Sequence, residues 1–179
     1  MTISNEKGVR LRATVSEFGP VLFSKILELN ENQGGAVAII FKYCDDKKLP
    51  LLDIKDIRAA LQHLTGGEGK KEMEKNYGSV SSASAGVIMR KLLELEQQGG
   101  DKFFGEKSFE VEDLLQKNKD GKAFINILRL ADIQDRPKLF STFMLCLLAE
   151  IYAKFPEIGD KGDPKLVIFI DEAHLIFRE

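Results

Sequence analysis

The sequence predicts a mixed α/β fold, predominantly helical, with a helical region over residues 1–100 and a β-α-β unit within 101–179. Three observations lead there. Apolar residues recur at helical spacing through most of the first hundred positions. The segment 135–155 is apolar on nearly all sides. The run Leu166-Val167-Ile168-Phe169-Ile170 is continuous, rich in β-branched residues and preceded by the turn-forming stretch Gly159-Asp160-Lys161-Gly162-Asp163-Pro164. A run of that kind predicts a parallel strand buried on both faces.

In order along the chain, Thr14-Val15-Ser16-Glu17 has the form of a capping box, a hydroxyl followed three residues later by Glu. Pro20 offers a second start, in the first turn of a helix capped near Gly19. Under either reading Val21, Leu22, Ile26 and Leu29 share one face. A second helix is expected over Gly35 to Asp45, and Leu49-Pro50 breaks the chain after it. Asp53 is an N-cap for a helix carrying Ile54, Ile57, Leu61 and Leu64, which Gly66-Gly67 ends. Residues 65–84 are rich in Gly, Lys, Glu and Ser and read as a connection with one short helix. A long amphipathic helix follows, with Val80, Ala83, Val87, Ile88, Leu92 and Leu95 inward and Gly99-Gly100 as its stop. The stretch 101–121 is irregular, with a helical turn expected at Val111 to Gln116. Ala123 to Leu128 reads as a short strand. The helix at Asp135 to Phe155 requires cover on every side, and two strands alone do not make a stable sheet, so further strands are required.

Composition narrows the function classes. Apolar residues at 44% and charged residues at 30% suit a packed domain rather than a disordered chain. A net charge of −2 shows no general basic footprint for nucleic acid, although a local patch would not register in that sum. Cys44 and Cys146 lie far apart in apolar surroundings, as buried reduced thiols would, and His63 and His174 are too few for a zinc site. No apolar stretch is long enough to span a bilayer, and no signal sequence opens the chain, so a cytoplasmic location with no membrane contact is expected.

The chemistry concentrates at Asp171-Glu172, directly after the apolar run. Open α/β sheets bind ligands outside the carboxyl ends of their strands. In P-loop ATPases the first acid of such a pair, called Walker B, serves Mg2+ on the nucleotide phosphates. One hard carboxylate is sufficient because Mg2+ keeps most of its waters. The second acid orients and polarises the attacking water. Asp171 is thus the expected metal and ATP-site residue and Glu172 the expected catalytic one. The bland alternative is a polar strand end with Asp171 capping the next turn. No Gly-x-x-x-x-Gly-Lys-Ser/Thr occurs, and Gly66-Gly67-Glu68-Gly69-Lys70-Lys71 has the wrong spacing to replace it. These residues by themselves are therefore expected to be inactive.

The segments Arg12-Ala13-Thr14-Val15-Ser16-Glu17-Phe18-Gly19-Pro20, Leu51 to Arg58, Glu96 to Asp101, Phe103 to Glu106 and Pro164 to His174 occur in an order and spacing that resembles the bacterial HerA-like ATPases, relatives of the HerA and FtsK translocases. The resemblance extends over nearly the whole chain. It implies an internal piece of a longer protein, part of a P-loop NTPase (RecA-like) sheet with a large helical insertion between its Walker motifs. The phosphate-binding loop would lie upstream of the position matching Arg12. It also implies ATP and Mg2+ as cofactors, a hexameric homo-oligomeric ring, and double-stranded DNA as the partner on which a helicase-like motor would work.

Two other classes stand beside this reading. Ser81 to Gly99 has the look of a winged-helix recognition helix, with Arg90 and Lys91 as candidate DNA contacts, or is an ordinary amphipathic helix with those charges solvated. The discriminating feature is a packed helix just upstream. The third class is subunit assembly, in which Leu51-Leu52 and Phe103-Phe104 would be contacts if exposed; the preferred reading places them in the core, where they need no such role.

Overall fold

The computed structural model describes residues 12–130, 137–155, 164–171 and 173. They fall into two compact units, Arg12–Lys107 and a second from Ser108 onward.

The first unit is built from local signals. Helix α1 (Val15–Ile26) opens with the full capping box: Thr14 Oγ1 accepts the Glu17 N–H at 3.1 Å and Glu17 Oε2 accepts the Thr14 N–H at 2.9 Å. Both expected starts are used. Gly19, at φ +66°, interrupts the helix after one turn, and Pro20 begins the second segment. Helix α2 (Glu31–Asp46) starts earlier than the apolar pattern indicates, because Asn30 and Gln33 form a box of their own. Helix α3 (Ile54–Thr65) is capped by Asp53, which accepts from the Lys55 and Asp56 amides, and stops at Gly66.

The segment expected to be mainly a connection contains a ten-residue helix, α4 (Gly67–Asn76), which buries Met73 completely. It reaches α3 because Gly69 has no side chain: a Cβ there would collide with the His63 carbonyl and lie 2.7 Å from the imidazole ring. Helix α5 (Ser82–Leu95) runs on into a π turn at Glu96–Gly100, where Gly99 takes φ +87° and turns the chain into the short α6 (Asp101–Phe103).

Packing then joins what is distant in sequence. Helices α2, α3 and α5 pack on one another, α1 packs on α2, and α4 on α3. Val37, Ile40, Ile57, Leu64, Ile88 and Leu92 are inaccessible to solvent. Each such side chain contributes about 1.5–3 kcal/mol by leaving water. Phe18, Phe23, Phe103 and Phe104 form an edge-to-face cluster with ring centroids 5.0–5.7 Å apart.

In the second unit a 3-10 helix covers Val111–Leu115, where a helical turn is expected. Helix α7 (Pro137–Lys154) lies against it, with Lys154 Nζ 2.7 Å from Glu112 Oε1. Leu139, Phe140, Phe143 and Met144 are buried, but Leu145 and Tyr152 are exposed, so this helix is covered on one side rather than all round.

The sheet is the main correction. Among the described residues no strand forms, and the β pairing between them takes the form of isolated bridges such as Ala13–Phe104 and Lys117–Ala123. The partial P-loop (RecA-like) sheet expected from the sequence is therefore absent from these residues, whose regular structure is helical. The physical reason lies in the backbone. A strand exists only when its amides and carbonyls meet a neighbour's. Around 123–128 the contacts do not amount to a ladder: a turn closes through Asn118 and Lys122, Phe124 N–H reaches the Gln116 carbonyl, and Ile125 is 91% exposed. The run 166–170 is likewise without regular structure, with Phe169 93% exposed.

Candidate functional site

Asp171 occupies a turn directly after the apolar run, and it is exposed. Ala173 is half-buried, while Glu172 and His174 lie outside the described residues. The acidic pair is therefore seen through its first member only. No group of three or more His, Cys, Asp or Glu able to hold a metal occurs among the described residues.

The two candidate DNA contacts differ. Arg90 is exposed on α5. Lys91 is engaged by two carboxylates, Glu28 at 3.5 Å and Glu94 at 3.2 Å, so contact with a phosphate would require it to leave both. A helix, α4, does precede α5, but its main contacts are with α3, whereas α5 rests on α2 and α3. Of the candidate assembly contacts Leu51, Phe103 and Phe104 are core, all nearly inaccessible, whereas Leu52 is half-buried. Cys44 is buried and Cys146 half-buried, and neither is in a disulfide. Burial pushes the Cys44 thiol pKa up, which makes it less reactive.

Two polar constellations went unread in the sequence because each joins separate segments. The first is a groove of about 400 Å3 beside the start of α3, lined by Arg12, Asp53, Asp56, Glu96, Asp101 and Glu106 among others. Several of its carboxylates already have structural duties. Asp53 caps α3, Asp56 accepts the Leu52 and Asp53 amides, and Glu96 holds Arg58 at 2.9 Å. The capping pattern Asp53-x-x-Asp56 was the legible part of it.

The second ties the end of α2 to α4. Glu72 pairs with Lys47 at 2.5 Å and accepts from Tyr43 Oη at 3.4 Å, and Tyr43 Oη also lies 3.4 Å from His63 Nε2. Tyr77 Oη donates to Asp46, which pairs with Lys42. Hydrogen bonding to Lys47 holds the Glu72 carboxyl below its usual range, and Lys42 does the same to Asp46. Burial, followed by the neighbouring carboxylates, raises the Tyr43 and Tyr77 phenols.

The signs give a pH window. Depressed carboxyl pKa values contribute stability that is present above the ordinary carboxylate range and lost as pH falls through the folded values. Raised phenol values contribute stability that is present below about pH 10 and lost above it. The thermal midpoint is expected to fall between pH 6 and pH 3, and Glu72→Gln should flatten that fall. Equal slopes in the two proteins would show that the Glu72–Lys47 pair does not contribute.

No helix among the described residues is long and apolar enough to cross a membrane. No curated protein matches the chain. No solved structure matches it either. The family model described as "Helicase HerA-like C-terminal" matches residues 1–179, the whole length given. With that match, and with the segments from Arg12 to His174 in the family's order, the chain belongs to the helicase HerA-like C-terminal family.

Proposed function

We propose that this chain serves in an ATP-hydrolysing, helicase-like motor, with Asp171 and Glu172 as its Walker B pair. The observation that carries the reading is the family match across all 179 residues. Asp171 suits the role of holding hydrated Mg2+: the residue is exposed, and a hard carboxylate can meet the ion through its waters. The ion, when bound with ATP, would offset charge developing on the phosphates. Glu172 would accept a proton from, and orient, the attacking water. The phosphate cradle would come from residues other than these, since no Walker A spacing occurs among them. A hexameric ring acting on duplex DNA is the proposed working form, with Arg90 the candidate contact on α5. Lys91 would join it only by releasing Glu28 and Glu94.

The test is nucleotide binding by the protein that carries these residues together with its phosphate-binding loop. Asp171→Asn should leave metal-free binding unchanged and weaken the Mg2+-dependent gain about tenfold. An unchanged Mg2+ response would overturn the metal role. Hydrolysis that duplex DNA fails to stimulate would overturn the DNA part.

A further inference from the structure

The chain enters the helical unit at Arg12 and leaves it at Lys107, and near these points the two stretches run side by side in the same direction. Ala13 N–H donates to the Phe103 carbonyl at 3.2 Å, and Gly105 N–H donates back to the Ala13 carbonyl at 3.1 Å, forming the parallel Ala13–Phe104 bridge. Just beyond it, Lys107 Nζ lies 2.6 Å from Glu17 Oε1, while the other Glu17 oxygen closes the capping box of α1. Behind the bridge Phe18 and Phe23, from the start of the unit, pack edge-on against Phe103 and Phe104, from its end.

We propose that these contacts are a clasp that closes Arg12–Lys107 on itself, so that it opens as one cooperative unit while residues from Ser108 onward open separately. The cost of closing a chain segment rises only slowly with its length, so a few contacts joining its ends suffice to close a long one. Here the ends are joined by two backbone hydrogen bonds, one ion pair and buried aromatic surface. The residues between them supply the aliphatic core that α2, α3 and α5 share. A core whose first and last members touch has no frayed end from which to unravel by steps, and cooperative opening follows.

Native-state hydrogen exchange on the whole chain, in rising denaturant, tests this. The slow amides of Val37, Ile40, Ile57, Ile88 and Leu92 should converge on one opening isotherm, and those of Phe143 and Met144 on another. Ala13→Pro removes the donor to the Phe103 carbonyl and should speed exchange in the first group about tenfold, with the second unchanged. Lys107→Glu, a milder change that sets like charges together, should act in the same direction by severalfold. If Ala13→Pro fails to fold, Lys107→Glu decides alone. A single isotherm for both groups, equal acceleration of both, or acceleration confined to Val15, Ser16 and Gly105 would overturn the clasp.

Discussion

Replacing Glu172 by Gln is expected to leave nucleotide binding nearly unchanged and to lower ATP hydrolysis by about a hundredfold or more, the usual range for loss of a positioned general base. The substitution keeps shape and hydrogen-bonding reach but removes the negative charge that polarises water. Binding depends on phosphate and metal contacts that Glu172 does not make under this reading, so the two observables should separate. The measurement is steady-state hydrolysis beside equilibrium binding, in the protein that includes its phosphate-binding loop. Loss of both together would point to misfolding, and loss of neither would remove Glu172 from catalysis. Asp171→Asn acts on the Mg2+ dependence instead, so the pair gives distinct signatures for the two acids.

Phe103→Ala is expected to destabilise the helical unit by about 3–5 kcal/mol, the cost of emptying a ring-sized site in a packed core. Phe103 is fully buried and stands edge-on to Phe18 and Phe104 at 5.6 and 5.0 Å. Its backbone also receives the Ala13 N–H, so the cavity would open where the ends of the unit meet. Neighbouring Gly100 leaves little room for relaxation, because a Cβ there would lie 2.8 Å from Ile54 Cδ1. Leu93→Ala provides the comparison: Leu93 is 41% exposed on α5, and its truncation should shift the urea midpoint far less. Equal shifts for the two variants would mean that the aromatic cluster is not the centre of the unit.

The legible parts of the fold share one property, closure within a few residues. The Thr14–Glu17 box, the break at Gly19-Pro20, the Asp53 cap, the stop at Gly99-Gly100 and the turn at Val111–Leu115 each depend on hydrogen bonds or backbone angles set by immediate neighbours. Helix α4 was underread because its composition is polar and only Met73 supplies an apolar anchor. What holds α4 in place is the gap left at Gly69 and the Glu72–Lys47–Tyr43 contacts, all made with α2 or α3.

For the candidate site the sequence offers a chemical proposal and leaves its geometry open. Asp171-Glu172 after five apolar residues names a pair of acids and a role for each, and the family match supports the class of protein in which such a pair works. Position is another matter. The apolar runs at 123–128 and 166–170 carry the residue types of buried strands, yet strand formation is decided by whether another backbone lies alongside, and among the described residues none pairs with them as a strand. By itself, then, the sequence determined most of the helices, the Thr14–Glu17 and Asp53 caps, the break at Gly19-Pro20, the presence of the acidic pair and the family. Only the tertiary structure decided that Phe103 and Phe104 are core rather than interface, that Lys91 is held by Glu28 and Glu94, that α7 is covered on one side, and that no sheet forms among these residues. The division follows the range of the forces: capping and turn formation act within one turn of chain, whereas burial and backbone pairing depend on partners that sequence spacing does not locate.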